Sequence, residues 1–423
     1  MTAHLKTLAS YVPSLILRRA NRNPSALTEP VVEKLTAGIL FADVAGFTAL
    51  TEQLAAQGAA GAEDLTRLLN DYFGQIIDLV IAYGGDPAKF AGDALLALWQ
   101  SDGSQEDLAR LVREIGQCSL LLQERLHDYE VAESFRLRMK LAIGVGEVWC
   151  EHLGGVYDRW EFLLAGPPLA QVGAANDHAR PGDTIVSKEA WALIGDKCTG
   201  EACPDGAMRL TSVNETVPIV PAELPQPRPT AGSALRTFIP GAIRARLDAG
   251  QTDWLGELRR ISVLFIGLPD FSADAALGKA HEAMRSMQMA LYQFEGSLNK
   301  ISVDDKGASL IAVLGLPPLA HEDDPERAVR AALAIQANLR DMNFRSSIGI
   351  TTGLAFCGAV GNEKRREYTI MGDVVNLSAR LMQAAKGELL CDRPTWNAAK
   401  DRLRFEVLDP IKVKGKTDLI PIY

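Results

Sequence analysis

The sequence lacks the features that would place it in a membrane, on a nucleic acid or in an oxidising compartment. Its longest apolar runs, such as LLALW and LIAVLGL, fall well short of the ~20 residues that a membrane-spanning helix needs. Acidic residues outnumber basic ones by 53 to 44, and the net charge of −9 argues against nucleic acid or an anionic membrane surface as a partner. The cysteines show no spacing that predicts a disulfide framework. We therefore expect a cytoplasmic protein without membrane insertion.

The sequence contains an internal repeat, in which the second half of the chain resembles the first. Its 423 residues are too many for one ordinary core and predict two domains of about 200 residues each. Four blocks recur in the same order, which indicates a tandem duplication. The blocks are KFAGDALLALW at Lys89 with KISVDDKGASLIAVLG at Lys300, MKLAIGVGEVWC at Met139 with RSSIGITTGLAFCG at Arg345, FLLAGPPLAQVGAAN at Phe162 with YTIMGDVVNLSARL at Tyr368, and TIVSKEAW with LLCDRPTW.

The repeats divide the chain into four parts. We predict an N-terminal helical segment at 1–34, a first domain at 35–215, a Pro-rich linker at 216–254 and a second domain at 255–423. Within each copy, strand-like blocks alternate with helical periodicity, most plainly at 60–82 and 325–341. The expected fold class of each copy is α+β, with a mostly antiparallel sheet covered by helices.

Two acids stand at predicted strand ends of the first copy. Asp43 ends the strand in LFADVAGFTAL, whereas the matching LFIGLPDFSAD of the second copy has Gly267 there. Asp93 lies in the tight FAGDAL turn between two strands. Converging carboxylates can hold a hard cation such as Mg²⁺ or Mn²⁺. The small residues Ala45 and Gly46 would let main-chain N–H groups approach a polyphosphate at the following helix.

Several motifs together resemble the class III nucleotidyl cyclases: LFADVAGFT and GGDPAKFAGDALLALW in the first copy, and EYTIMGDVVNLSARL and VKGK in the second. The tandem arrangement is similar to the catalytic core of soluble adenylyl cyclases. The resemblance covers roughly 35–215 and 255–423. It implies two class III cyclase-like domains packed as an intramolecular pseudo-twofold dimer, so that catalysis would not require a second chain.

The resemblance also implies a role for each motif residue at one composite site. Asp43, Val44 and Asp93 would bind two Mg²⁺ or Mn²⁺ ions, Ala45, Gly46, Phe47, Thr48 and Lys414 the phosphates, Lys300 and Thr369 the base, Asn376 the ribose, and Arg380 the α-phosphoryl group in the transition state. Asn376 and Arg380 are one helical turn apart and so share a face. A lysine donor suits adenine N1, and a threonine hydroxyl can accept from the adenine amino group.

The second composite site is incomplete in the sequence. It would need an acid at Gly267, and an asparagine and an arginine on the first-copy helix, where Leu169 or Gln171 and Gly173 are found. In soluble adenylyl cyclases this site binds bicarbonate through a lysine and an arginine. Lys89 matches that lysine, so it is the candidate for a regulatory anion, although Gly173 stands at the position of the arginine.

The expected function is therefore that of an adenylyl cyclase. ATP would be converted to 3′,5′-cyclic AMP and pyrophosphate when the ribose 3′-oxygen attacks the α-phosphorus, assisted by two metal ions. Two alternatives remain open. One is a catalytically silent nucleotide-binding regulatory module, and the other is a guanylyl cyclase, because the hydroxyl of Thr369 can donate as well as accept.

Overall fold

The computed structural model describes residues 3–55, 58–132, 135–250, 256–271, 277–304, 307–413, 416 and 418–423. Two helices precede the first sheet: α1 (Ala3–Ser10) and α2 (Ser14–Arg22). None of the described helices combines the length and apolar character needed to cross a membrane. All six cysteines fall within these ranges and are free thiols.

The first half of the chain is a mixed sheet with helices on both faces. Its elements are β1 (Val31–Ala45), α3 (Phe47–Ala55), α4 (Ala59–Ala82), β2 (Asp86–Ala91), β3 (Ala94–Gln100), α5 (Gln105–Leu126), β4 (Tyr129–Ala132), β5 (Phe135–Val156), β6 (Arg159–Ala165), α6 (Pro167–His178), β7 (Thr184–Val186), α7 (Lys188–Ile194), β8 (Cys198–Ala202) and β9 (Met208–Val213). The strand order is β2-β3-β1-β5-β7-β9-β8, and β6 pairs with the far end of β5. The sheet is antiparallel except where β7 runs parallel to β5.

The alternation of side chains along β1 explains why both faces are covered. Leu40, Ala42 and Val44 point into a core that is filled from the other side by α4 and α5. Ala37 and Ile39 point the opposite way, into a second cluster that includes residues of α6. Because β1 is apolar on both faces, it lies inside the sheet, between β3 and β5.

The second half repeats this arrangement after two short connecting helices, α8 (Gly232–Arg236) and α9 (Gly241–Asp248). Its elements are β10 (Glu257–Leu268), α10 (Leu277–Gln293), β11 (Ser297–Asp304), β12 (Gly307–Leu314), α11 (Asp324–Asp341), β13 (Ser347–Gly361), β14 (Arg366–Met371), α12 (Asp373–Ala385), β15 (Leu389–Cys391), α13 (Arg393–Ala399), β16 (Leu408–Ile411) and β17 (Ile420–Ile422). The order β11-β12-β10-β13-β14 reproduces β2-β3-β1-β5-β6 of the first half. The predicted α+β class and the two predicted long helices, now α4 and α11, are confirmed.

The region predicted as a Pro-rich linker is more structured than its sequence indicated. Leu235, Ile239 and Ile243 are buried in one cluster with α1 and α2. Their apolar partners lie outside this segment, in α1 and α2 and on strands of the second half, so no local periodicity shows them. β1 begins at Val31, inside the segment predicted as N-terminal and helical.

The two halves pack on each other reciprocally. Helix α4 of the first half lies on β13 of the second, and α10 of the second lies on β5 of the first. The end of β13 contacts α4 where Gly361 N donates to Asn70 Oδ1 at 3.1 Å. The end of β5 contacts α10 where Val156 N donates to Gln288 Oε1 at 3.2 Å. This exchange of equivalent contacts is that of a pseudo-twofold dimer within one chain.

Candidate active site

The two acids predicted from the strand ends lie together. In the register of the sheet, Asp43 stands opposite Ala94, directly after the turn that carries Asp93. Val44 N donates to the Asp93 carbonyl at 3.2 Å, which ties that turn to the end of β1. Burial, and then the negative charge of Asp43, raise the pKa of the Asp93 carboxyl to about 6. Two carboxyl groups that influence each other in this way can share a cation.

These acids fit a hard divalent cation whose coordination is completed by other oxygens. The described residues hold no group of three or more His, Cys, Asp or Glu side chains that could bind a metal. Mg²⁺ commonly takes one or two protein carboxylates together with water and substrate phosphates. The donor set of Asp43 and Asp93 therefore suits Mg²⁺ or Mn²⁺ bound together with a phosphorylated ligand.

The main chain that follows Asp43 is exposed and open to a ligand. Ala45 and Gly46 are exposed, and Gly46 has a φ of 115°, which lets the chain turn sharply from β1 into α3. Phe47 is buried and stacks on Phe73 with ring centroids 5.5 Å apart, which anchors the start of α3. Thr48 follows in the first helical turn, where main-chain N–H groups lack helical partners and attract anions.

The predicted phosphate contact Lys414 lies outside the described residues. Its neighbour Lys416 is described, and its Nζ lies 2.6 Å from Asp373 Oδ1 at the start of α12. This ion pair joins Lys416, the last residue of VKGK, to the helix that carries Asn376 and Arg380.

Two further polar side chains contact Asp43 and were missed from the sequence. Lys140 Nζ lies 3.2 Å from Asp43 Oδ2, and Asn176 Nδ2 donates to the same oxygen at 3.4 Å. Lys140 stands opposite Asp43 in the pairing of β1 with β5, so a correct strand register would have indicated it. Asn176 is brought to Asp43 by the packing of α6 and has no signal in the sequence.

The second half contributes a buried lysine and threonine pair. Lys300 on β11 is 7% exposed and Thr369 on β14 is fully buried, and Lys300 Nζ donates to Thr369 Oγ1 at 2.6 Å. Burial lowers the pKa of Lys300 from its ordinary 10.5 to about 8, and the carboxylates of Glu367 and Asp93 partly oppose that shift. Since Asp93 belongs to the first half, this electrostatic link joins the predicted base site to the predicted metal site.

Asn376 and Arg380 occupy one face of α12, as their spacing predicted. Asn376 is exposed, and Arg380 is half-buried. Arg380 Nη1 donates to Gln383 Oε1 at 3.3 Å, so its guanidinium lies along its own helix. A rotation of the long arginine side chain would be needed for it to leave Gln383 and contact a ligand.

The corresponding helix of the first half corrects one detail of the sequence comparison. Both α6 and α12 begin directly after a glycine with positive φ, Gly166 at 112° and Gly372 at 145°. Counted from these glycines, the equivalents of Asn376 and Arg380 are Ala170 and Ala174, and not Leu169 or Gln171 and Gly173. The first-half helix offers only methyl groups at both positions.

The three polar residues that meet at Asp43 in the first half, Asp43, Lys140 and Asn176, each have a different residue at the equivalent position of the second half. A Cβ atom on Gly267 would lie 2.6 Å from Met382 Sδ, so methionine fills the space that a carboxylate would need. Met382 is the tenth residue of α12, just as Asn176 is the tenth of α6. Opposite Gly267 on β13 stands Ser347, at the position of Lys140.

Lys89, the candidate for a regulatory anion, lies in a cavity between the halves. Its Nζ donates to the Phe162 carbonyl at 3.0 Å. Burial lowers the pKa of Lys89 to about 8, and the carboxylates of Glu367 and Glu161 partly oppose the shift. The same cavity is lined by Lys300, so the candidate regulatory lysine and the candidate base-binding lysine are neighbours.

Known proteins resemble this chain over nearly its whole length. A family model described as the adenylate and guanylate cyclase catalytic domain matches residues 31–202 and 256–422. Human adenylate cyclase type 10 is 30% identical over 454 aligned residues, which cover 98% of this chain and 28% of the human protein. Adenylate cyclase 1 of Rhizobium meliloti is 28% identical over 41% of this chain and 28% of its own length. The chain thus spans little more than a quarter of these relatives.

One solved structure shares the tandem fold. A class III adenylyl cyclase-like ATP-binding protein from Pseudomonas aeruginosa aligns with 91% of this chain and 92% of its own, with a TM-score of 0.55 and 12% identity. At that identity the likeness concerns the fold alone.

Proposed function

Because the chain belongs to the adenylate and guanylate cyclase catalytic domain family, we propose that it is an adenylyl cyclase with one composite active site. The observation that supports the proposal is that Asp93 of the first half, beside Asp43, lies close enough to Lys300 of the second half for their charges to interact, while Lys300 donates to Thr369. The name of the human relative, adenylate cyclase type 10, supports the same activity.

The base-binding pair favours adenine on chemical grounds. A protonated Lys300 has only donors, which suits the acceptor N1 of adenine and conflicts with the N1–H of guanine. Thr369 Oγ1 accepts from Lys300 and keeps its own proton and a second lone pair. The threonine can therefore face either purine, and Lys300 provides most of the discrimination.

The reaction would be an in-line displacement at the α-phosphorus. The ribose 3′-hydroxyl gives its proton to solvent, its oxygen forms the new bond to the α-phosphorus, the bond from the α-phosphorus to the oxygen of the leaving pyrophosphate breaks, and cyclic AMP results. Asn376 would hold the ribose, and Arg380, after leaving Gln383, would meet the charge that develops on the α-phosphoryl oxygens. Beside Arg380, Lys140 supplies another positively charged side chain, on the side of the site where the metal ions would bind. Its ammonium group can shift from Asp43 to a phosphate oxygen of the substrate.

The metal side would be formed by Asp43, Asp93 and the main chain at Val44. Two Mg²⁺ or Mn²⁺ ions bound there would neutralise phosphate charge and lower the pKa of the 3′-hydroxyl. The N–H groups at Ala45, Gly46, Phe47 and Thr48, together with Lys414, would contact the β- and γ-phosphates.

The second composite site would not react, because it has Gly267, Ala170 and Ala174 in place of the acid, the asparagine and the arginine. A role for Lys89 in binding a regulatory anion remains a prediction. It would be wrong if cyclase activity stayed constant during a bicarbonate titration at fixed pH. Since one chain supplies both halves of the working site, specific activity should also be independent of protein concentration.

The decisive experiment is cyclic AMP formation from Mg·ATP and Mn·ATP by the purified chain, with Asp43→Ala and Arg380→Ala beside it. Asp270→Ala is the matched control, because Asp270 lies just beyond Gly267 and pairs on the surface with Arg345. We expect activity in the parent and the control and its loss in both other variants. ATP binding without cyclic AMP formation would instead indicate a regulatory module, and a higher kcat/KM for GTP a guanylyl cyclase.

A further inference from the structure

Arg365, a buried arginine of the second half, donates hydrogen bonds to main-chain carbonyls of the first half. Arg365, which directly precedes β14, is 4% exposed. Its Nε donates to the Pro87 carbonyl at 3.0 Å and its Nη2 to the Ala88 carbonyl at 3.1 Å. Its guanidinium also lies over the Phe90 ring, 5.5 Å from the centroid. All three partners belong to β2, so Arg365 joins β14 to β2 across the interface between the halves.

A carboxylate completes this junction. Arg365 Nη2 donates to Glu367 Oε2 at 2.7 Å, and the same oxygen accepts from Phe90 N at 3.4 Å. The charge of Arg365 is therefore neutralised beside the carbonyls that it binds. Planar guanidinium donors that meet several acceptors at once fix geometry better than a single ammonium can.

The two strands joined in this way carry opposite ends of the candidate active site. β2 runs on into the turn that holds Asp93, and β14 carries Thr369, the partner of Lys300. Glu367 is also the carboxylate that most strongly favours the charged form of Lys300. A change at Arg365 would thus alter the separation of the base site and the metal site.

The pseudo-twofold equivalent, Arg159, does not make this connection. Arg159 Nη2 donates to Glu161 Oε2 at 2.9 Å, which matches the pair of Arg365 with Glu367. Its Nη1, however, donates to the Trp160 carbonyl and, at 3.3 Å, to the Thr237 carbonyl of the linker. Gln288 of the second half donates to the Arg159 carbonyl at 3.0 Å, but the Arg159 guanidinium makes no hydrogen bond to the described residues of the second half. The two arginines share burial and a carboxylate partner, and they differ in whether the guanidinium bridges the halves.

We propose that Arg365 is a positioning residue for the cyclase reaction, which sets the distance between the Lys300–Thr369 pair and the turn of Asp93. This inference rests on the proposed function. A displacement of about 1 Å at a reacting centre can cost on the order of 100-fold in rate. If β14 could move relative to β2, Lys300 would discriminate less well between adenine and guanine.

Arg365→Lys tests the proposal, and Arg159→Lys is its matched control, because both variants keep the charge and lose a buried planar fork. We expect Arg365→Lys to lower kcat for ATP by about 10- to 100-fold and to reduce the ATP-to-GTP ratio of kcat/KM. Arg159→Lys should leave both within about twofold, while thermal unfolding midpoints show whether the two variants are comparably stable. Equal kcat and equal base preference in the two variants would overturn the proposal.

Glu367→Gln decides the matter if Arg365→Lys does not fold, since glutamine keeps the shape and removes the charged partner of Arg365. The comparison is made on the low-pH plateau of each pH profile, where Lys300 is protonated in both chains; there a lowered kcat and a reduced ATP-to-GTP ratio would support the proposal, and parental values of both would refute it. Failure of the proposed function looks different, because the parent chain would then form no cyclic AMP at all.

Discussion

The pKa of Lys300 makes the pH dependence of catalysis a direct test of the base site. Burial lowers this pKa from 10.5 to about 8, against the opposing effects of Glu367 and Asp93, while Arg365 lowers it further. Lys89 is the other cation facing Lys300 in this region. The ammonium form therefore dominates below pH 8, and the neutral amine dominates above it. The perturbation is simply a rise in pH from 7 to 9.

The expected magnitude follows from the hydrogen bond that is weakened. An ammonium gives a charge-assisted hydrogen bond of about 1.5–3 kcal/mol, whereas a neutral amine gives about 0.5–1.5 kcal/mol. The difference of roughly 1–2 kcal/mol corresponds to about a 5- to 30-fold change, since 1.4 kcal/mol is tenfold. We thus expect kcat/KM for ATP to fall by this factor as the pH rises through about 8, and then to level off.

The assay is the initial rate of cyclic AMP formation at low ATP and saturating metal, because kcat/KM reports the pKa values of the free enzyme. Lys300→Arg should show lower activity without a midpoint near 8, since a guanidinium stays protonated. Glu367→Gln should move the midpoint to lower pH, because the anion that most favours the ammonium is removed. A flat parental profile between pH 7 and 9, or an unchanged midpoint in Lys300→Arg, would refute the reasoning.

Three further predictions concern the surroundings of the site. Thr369→Asp should raise the ATP-to-GTP ratio of kcat/KM by about tenfold or more, because a carboxylate accepts from the adenine amino group and repels guanine O6; an unchanged ratio would contradict this. Gly267→Asp should lower the free energy of unfolding in urea by about 1–3 kcal/mol, since its Cβ meets Met382 Sδ. Met382→Ala in the same chain should recover most of that loss, whereas simple additivity would refute the contact. Asn176→Ala should raise the Mn²⁺ concentration for half-maximal activity by about tenfold through its bond to Asp43, and an unchanged requirement would argue against this role.

The strands and turns that recur in both halves could be predicted, because each depends on local sequence and occurs in both copies. The apolar blocks gave the central strands, and Gly92 with Asp93 gave the turn between β2 and β3. The helices of the linker were not predicted, because Leu235 and Ile243 are buried by partners outside the linker, in α1, in α2 and on strands of the second half. Tertiary partners of this kind leave no periodic signal in a short segment.

In the candidate site, the positions of residues at strand ends and on one helix face were predictable from the sequence. Residues that come together only when separate strands or helices pack against each other were not. Asp43 and Asp93 follow from strand ends, and Asn376 and Arg380 from helical spacing. To predict Lys140, one would need the register of β1 against β5, which the amino-acid sequence alone does not determine. Arg365 required the packing of the two halves, since both of its carbonyl acceptors are almost 280 residues away.

The loss of the acid in the second copy is best understood as one of several coordinated replacements. The working half places a lysine and an asparagine around Asp43, and each of these polar groups is costly to bury without its partners. With glycine at position 267, a lysine and an asparagine at the equivalent positions would have no carboxylate to contact. A serine and a methionine avoid that cost, and the methionine also fills the space at Gly267. The second copy therefore lacks the lysine and the asparagine as well as the acid, so restoring the acid alone could not restore a site.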